Sequence, residues 1–455
     1  MIHLSKSPWR LIIFTRYPVP GKTKTRLIPA LGPEGAAKLQ EVMTGHAVLQ
    51  GRCVSAMKPA TIEVRFEGGK HRDLRKWLGA DLHYVSQGEG NLGQRMARAF
   101  DDAFRTGVDR AVLIGSDCPD ITANLLIRAF EALNDRDLVI GPATDGGYYL
   151  IGLNAPAPFL FDDIAWGRDT VFSRTWKIAG AHGLRVFKLE TLSDVDHPKD
   201  IHVCDRIFSQ DTVSETISVI IPTLNEEFII SETVQRILPH ATEVIVADGG
   251  SRDKTVSRAR QAGARTVNLP YGRGAQMNAA ALAARGSILL FLHADTNLPE
   301  GFSADIIQAL RLPTAAAGAY SLGIDGEGIT FRMVEVAANL RSRFLQLPYG
   351  DQALFLLRDT FIRLGGFANF PIMEDFELVR RLSWRNRIVT LNRCVTTSAR
   401  RWMHLGFWRT TLINQLIVAG FGFGVSPARL ALFYRKAIHN HSRLTQRKRS
   451  IHNKR

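Results

Sequence analysis

Cysteine is scarce in this chain: Cys53, Cys118, Cys204 and Cys394 are scattered through 455 residues. None forms a Cys-x-x-Cys pair or joins a His/Cys cluster of zinc spacing, which removes a disulfide framework and a structural zinc and points to a reducing, cytoplasmic compartment. Long apolar runs are missing too. The best candidate, LINQLIVAGFGFGV at 412–425, is interrupted by Asn414 and Gln415 and falls short of the roughly 20 residues a spanning helix needs. It reads as a core or partner-contact helix, or as an interfacial one flanked by Phe407, Trp408 and a basic tail. Acids are outnumbered, 43 against 58 Lys and Arg, for a formal net charge of +15. No acid follows Tyr434 in RKAIHNHSRLTQRKRSIHNKR, a tail expected to be disordered over 436–455. Such a tail attracts nucleic acid, anionic lipid or phosphorylated ligands without choosing among them. With no recognition motif and no aromatic-lined basic face, nucleic acid is set aside. The first residues, MIHLSKSPWRLIIFTRYP, carry no small-residue cleavage site of a secretory signal.

What the chain does have is an ordinary folded composition, 45% hydrophobic and 22% charged, at a length that predicts two or three domains. From Trp9 to about Asp205, and again from Ile217, short apolar runs alternate with helical stretches, the pattern of βαβ units and a parallel sheet. The polar FSQDTVSETIS lies between them. The expected domains are 1–207 and 217–435, with a linker at 208–216. Each half opens with a strand running into a polar loop, RLIIFTRYPVPGKTKTRL and SVIIPTLNEE. Each then delivers a strand ending in an acid, Asp117 in AVLIGSDCPD and Asp295 in ILLFLHADT. A duplicated nucleotide-binding sheet is the simplest reading.

In open parallel sheets, ligands gather beyond the carboxyl ends of the strands. In the second half those ends supply Thr223, Asn225 and Glu226, then Asp248 before Gly249 and Gly250, then Arg273 in GRG, then Asp295. Any one of these acids serves equally as a cap or turn residue. Farther on come Asp351 and Gln352 in PYGDQ, and Glu374 and Asp375 in IMEDFELVRRL. In order, these motifs resemble a family 2 inverting glycosyltransferase with the A-type nucleotide-sugar fold, of the arsenosugar- and carotenoid-glycosyltransferase-like kind. The resemblance implies that Asp295, the surviving acid of a DxD motif written here as His293-Ala294-Asp295, holds Mg²⁺ or Mn²⁺ against the donor diphosphate. It implies that Asp375 is the general base, that Thr223, Asn225, Glu226, Asp248, Arg273 and Arg401 bind the donor, and that Asp351, Gln352 and Trp402 face the acceptor. Ser398 stands where the QxxRW signature of processive members has Gln, which counts against polymer synthesis.

In the first half, Gly21, Lys22, Lys24, Thr25 and Arg26 directly follow a strand, a basic cradle suited to polyphosphate that is not a Walker A loop. With GSDCPDI, GPATDGGYYLIGL and LSDVDHPKD, this half resembles the nucleotidyltransferase-like A-type enzymes. That likeness implies a nucleotide site including Asp145 and a metal shared by Asp117 and Asp196. Asp145 also suits an ordinary hairpin turn. The expected architecture is therefore α/β, with two Rossmann-like nucleotide-diphospho-sugar transferase domains whose mostly parallel sheets are flanked by helices. The expected function is metal-assisted, inverting transfer of a sugar from a nucleotide-sugar donor to the hydroxyl of a small or lipid-like acceptor, with a first half that binds or makes a nucleotide sugar. Peripheral contact with the inner face of the plasma membrane through 407–435 and the tail belongs to the lipid-like reading. The rivals are a non-catalytic nucleotide-binding scaffold, and nucleotidyl transfer in the first half as the main activity.

Overall fold

The computed structural model describes residues 7–204, 207, 215–269, 272–312, 315–385, 387–399 and 407–437. The chain forms two compact units, Met1–Ser214 with Arg358–Gly366, and Glu215–Leu357 with Phe367–Arg455. The expected linker at 208–216 falls mostly outside the described residues, as do most of the tail, Arg401 and Trp402.

The first unit is built on a seven-stranded sheet of β1 (Trp9–Arg16), β2 (Ala60–Glu67), β3 (His83–Ser86), β4 (Arg110–Gly115), β5 (Leu138–Pro142), β6 (Tyr148–Leu153) and β7 (Val186–Lys188), in the order 3-2-1-4-6-5-7. Only β6 runs against its neighbours. The second unit carries β8 (Ile217–Thr223), β9 (Glu243–Asp248), β10 (Arg265–Asn268), β11 (Ile288–Phe291), β12 (Thr296–Asn297), β13 (Ala315–Asp325), β14 (Phe355–Leu357) and β15 (Arg387–Ser398). Their order is 10-9-8-11-14-13-15-12. Without the two-residue β12, the second sheet repeats the first strand for strand, including its antiparallel sixth member, β14. The duplication expected from strand-end acids is therefore one of connectivity.

The central strands are buried on both faces, as their unbroken apolar sequences require. In each sheet the winding reverses between the first and fourth strands, β1/β4 and β8/β11, and at such a switch point the following loops part to leave a crevice. A polar exception lies within the first sheet. Glu63 on β2, 2% exposed, meets Arg10 of β1 at 2.7 Å and Arg65 at 2.6 Å, and Arg65 reaches on to Asp102 at 2.8 Å.

Residues 358–366 complete the first unit although they follow β14 in the chain. Gly45, midway along the helix Ile28–Met57, lets this segment approach closely: a Cβ there would lie 2.6 Å from the Arg363 carbonyl oxygen. The fully buried Arg52 donates to the carbonyls of Gly365 at 2.5 Å and Leu78 at 2.6 Å, and to Asp81. Trp77 Nε1 donates to the Arg363 carbonyl at 2.8 Å.

Candidate active site

The loops beyond β8, β9 and β11 carry the residues expected to bind the donor. Asp248 is 1% exposed and spends its carboxylate locally, accepting from the Gly250 and Ser251 amides at 2.8 Å each and from the Ser251 hydroxyl, with Thr223 Oγ1 at 3.4 Å. Asn225, at φ 57°, accepts from the Arg252 amide at 2.9 Å, and its own amide donates to Ser251 Oγ at 2.8 Å. The Glu226 amide donates to Thr255 Oγ1 at 2.8 Å. Thr223, Asn225 and Asp248 therefore shape the crevice wall by tying the β8 and β9 loops together. The groups left facing out include Leu224, 57% exposed.

The second set converges more tightly. Arg273 begins the helix Arg273–Ala283, where Gly274 allows close packing against the Ala368 carbonyl. Its guanidinium meets His293 Nε2, just past β11, and its Nε lies 3.8 Å from Glu374 Oε1. Glu374 and Asp375 open the helix Glu374–Arg385, whose Leu378 and Leu382, both fully buried, hold it to the core. Asp375 Oδ2 accepts from the Gly350 amide at 2.8 Å and Oδ1 from the Phe376 amide at 2.7 Å. Gly350 explains its own identity: a Cβ there would lie 2.7 Å from Asp375 Oδ2 and 3.4 Å from His293 Nε2. His293 and Asp375, 82 residues apart in sequence, thus border the same glycine. Asp295 is half-buried on the turn two residues after His293, and Asp351 follows Gly350 directly.

Gln352 corrects an expectation. It is fully buried, its Oε1 accepts from Ser342, Arg341 and the Tyr349 amide at 2.7–3.2 Å, and its Nε2 donates to the Tyr320 carbonyl at 3.0 Å. The side chain anchors the Tyr349–Gln352 turn and is not available to an acceptor.

Burial and the adjacent Asp375 charge push the Glu374 carboxyl up to about 7, with Arg273 offsetting part of the rise. An acid with a raised folded pKa favours the native state below its unfolded pKa and loses that advantage as pH climbs through the folded value. Thermal melts should therefore show the stability of this unit falling between about pH 4.5 and 7, and Glu374→Gln should flatten that slope. An unchanged slope in the variant would remove Glu374 from the account.

In the first unit, the loop after β1 and the loop after β4 meet at the equivalent switch point. Lys24, at φ 49°, places its ammonium 2.8 Å from Asp117 Oδ1, 3.2 Å from Asp196 Oδ1 and 2.6 Å from the Val195 carbonyl. Burial alone would lower the Lys24 pKa, but Asp117 and Asp196 outweigh it and hold the amine firmly protonated. Asp194 close by is pushed up to about 6 by burial, then by Asp145 and its other acidic neighbours. Gly21, Lys22, Thr25 and Arg26 remain on the exposed side of the loop, and Arg26 lies 3.6 Å from Asp196. Asp145 sits in the β5–β6 hairpin, where Oδ1 accepts from the Gly147 amide at 2.8 Å, so its hairpin reading holds locally. The expected ion between Asp117 and Asp196 meets a lysine already drawn up to both.

The helix Phe407–Gly422 divides its apolar residues between two faces. Ile413 and Ile417 pack with Met373 and Phe376 beside Asp375, and Phe421 stacks edge-on to Phe376 at 5.7 Å. Leu412 and Leu416 stay exposed, as does Phe423 just beyond the helix end. No helix among the described residues is long and apolar enough to cross a membrane.

Comparison with known proteins gives a separate match in each half of the sequence. Residues 218–369 match the family described as glycosyl transferase family 2, and residues 52–168 match the family described as an uncharacterized protein conserved in bacteria, DUF2064. A curated glucosyl-3-phosphoglycerate synthase of Mycolicibacterium paratuberculosis is 36% identical over 121 residues, 22% of this chain and 37% of that protein. The chain thus spans about a third of that relative's length. Among solved structures, a protein described as a nucleotide-diphospho-sugar transferase from Desulfovibrio desulfuricans is 35% identical, with 42% of this chain and 83% of that one covered at a TM-score of 0.39. The glucosyl-3-phosphoglycerate synthase of Mycobacterium tuberculosis, in complex with Mn²⁺, uridine diphosphate and glucosyl-3-phosphoglycerate, is 23% identical over 40% of this chain and 71% of that one, at a TM-score of 0.29. The first half of this chain is thus similar over residues 52–168 to DUF2064, and the second over residues 218–369 to the glycosyl transferases of family 2.

Proposed function

We propose that the second half transfers a sugar from a nucleotide-sugar donor to an acceptor hydroxyl with inversion, and that Asp375 is the general base. The convergence of Arg273, His293, Gly350 and Asp375 at the β8/β11 switch point, with Asp295 two residues from His293, carries this reading. Two backbone amides fix the Asp375 carboxylate without exhausting its lone pairs, so an oxygen remains to take the acceptor proton. As that proton leaves, the acceptor oxygen bonds to the anomeric carbon from the face opposite the leaving group. The bond to the diphosphate breaks with its electron pair, and one in-line step inverts the centre. Arg273 supplies positive charge on the side where the diphosphate gathers it.

No trio of His, Cys, Asp and Glu among the described residues is grouped to hold an ion alone. That donor set suits Mg²⁺ or Mn²⁺ held through one carboxylate, Asp295, with diphosphate oxygens and water as the remaining ligands. Asp295 would hold the ion there, and the chemistry it would supply is positive charge for the leaving diphosphate. Donor contacts for Thr223, Asn225, Glu226, Asp248 and Arg401, and acceptor contacts for Asp351 and Trp402, belong to the same proposal, the strand-end residues acting through the loop they shape.

A small hydroxyl compound is the acceptor in the first reading, which the name of the curated relative, glucosyl-3-phosphoglycerate synthase, supports. A second reading has its own observation. The exposed Leu412, Leu416 and Phe423 lie on an element that packs against the Asp375 helix, a surface suited to a lipid-like acceptor and to peripheral contact with the cytoplasmic face of a membrane. The first half, with its basic loop of Gly21 to Arg26, would bind or make the nucleotide sugar.

The test is to incubate the full chain with Mn²⁺ and a set of nucleotide sugars and acceptors, reading released nucleoside diphosphate. Chelation should abolish release, added Mn²⁺ should restore it, and Asp295→Asn should need far more Mn²⁺ for half-maximal rate. Turnover indifferent to chelator and to Asp295 would end the metal assignment. Stimulation by anionic vesicles would favour the lipid-like acceptor.

A further inference from the structure

The carboxylate pair of the first unit is already neutralised from within. Lys24 Nζ lies within 3.2 Å of an oxygen from both Asp117 and Asp196, and its side chain is only 6% exposed. Arg26 adds a second cation at 3.6 Å from the outer oxygen of Asp196. Asp194 and Asp145 keep the surroundings acidic, so what stands against an ion is the place the ammonium occupies between Asp117 and Asp196 rather than the net charge. The lysine is also not a stray surface chain that swings aside freely. Its backbone sits in the left-handed region, its ammonium has a further acceptor in the Val195 carbonyl, and Thr23 beside it is locked to the Tyr17 carbonyl and the Val19 amide. A divalent ion shared by Asp117 and Asp196 would need the inner oxygens that the ammonium holds, at 2.0–2.6 Å, while facing a like charge beside it.

We propose that the Lys24 ammonium is the resident cation of the Asp117–Asp196 pair and shuts a divalent ion out of the first unit while it stays there. The residues do not fit the metal that the likeness to nucleotidyltransferases implies.

Counting bound Mn²⁺ by electron paramagnetic resonance on the full chain without nucleotide tests this independently of whatever the second half binds. Wild type and Asp117→Asn should bind the same number of ions. Lys24→Met should bind one more per chain than wild type, and the double variant, Lys24→Met with Asp117→Asn, should lose that extra ion. An ion lost from wild type by Asp117→Asn alone overturns the proposal. So does a Lys24→Met protein that melts like wild type yet gains no ion. If Lys24→Met fails to fold, the comparison of wild type with Asp117→Asn still decides.

Discussion

Asp375→Asn is expected to lower turnover by about 10²–10⁴-fold, the span a positioned general base commonly contributes, while donor binding is retained. The substitution preserves size and leaves one oxygen able to accept from either the Gly350 or the Phe376 amide. It removes the capacity to collect a proton from an acceptor hydroxyl that is far too weak an acid to ionise alone. Because Asn offers a single carbonyl oxygen where the carboxylate satisfied two amides, a small loss of stability should accompany the loss of rate. A thermal melt separates the two effects. Steady-state turnover should fall with kcat rather than with KM, since the interaction is made in the transition state. Full turnover in this variant would leave a nucleotide-binding scaffold as the better description of the second half.

The largest expected effect on stability lies within the first sheet. Glu63→Ala should destabilise the first unit by about 3–5 kcal/mol, the usual consequence of removing one partner from a buried ion network. Arg10, Glu63 and Arg65 are each no more than 2% exposed, so the two guanidiniums would be left without their shared carboxylate and without water to replace it. The pH dependence follows the same residue. Burial pushes the Glu63 carboxyl up, but the His83 hydrogen bond and the charges of Arg65 and Arg10 outweigh it, leaving a pKa of about 2. A depressed folded pKa means that the stabilisation is complete above the unfolded value near 4.5 and drains away as pH falls toward 2. Denaturant melts of wild type and variant should converge over that interval. Curves that stay a constant distance apart would place the stabilisation elsewhere.

Much of the architecture was open to reading because the features that declare it are local. A buried strand written as a run of apolar residues ends where an acid appears, and Asp117, Asp248 and Asp295 mark such ends in the chain. Asp375 at a helix start before Leu378 and Leu382 is equally plain. What escaped depends on meetings between distant segments. Nothing in PYGDQ says that the Gly350 amide will seize the Asp375 carboxylate, or that Gln352 will turn inward to bind Ser342 and Tyr320. The Lys24 contacts span 93 and 172 residues to Asp117 and Asp196, and basic residues in a loop look alike until their partners are known. A strand-end Asp248 looks poised for a ligand, but its carboxylate is taken up by its own turn. The hydropathy of 412–425 gave no way to choose between core and surface because the helix serves both.

The excursion of residues 358–366 bears on any attempt to study the halves apart. Tandem enzymes are commonly dissected at the connector, on the assumption that each gene fragment encodes everything its product requires. Here a fragment beginning at residue 215 would export Phe361 and Ile362, at most 1% exposed in the intact chain, with no groove to receive them. A fragment ending at residue 214 would leave Arg52 and Trp77 without the carbonyls of Gly365 and Arg363. Truncation at the seam thus produces two incomplete pieces, and an inactive fragment would report on that missing strip of polypeptide before it reported on catalysis.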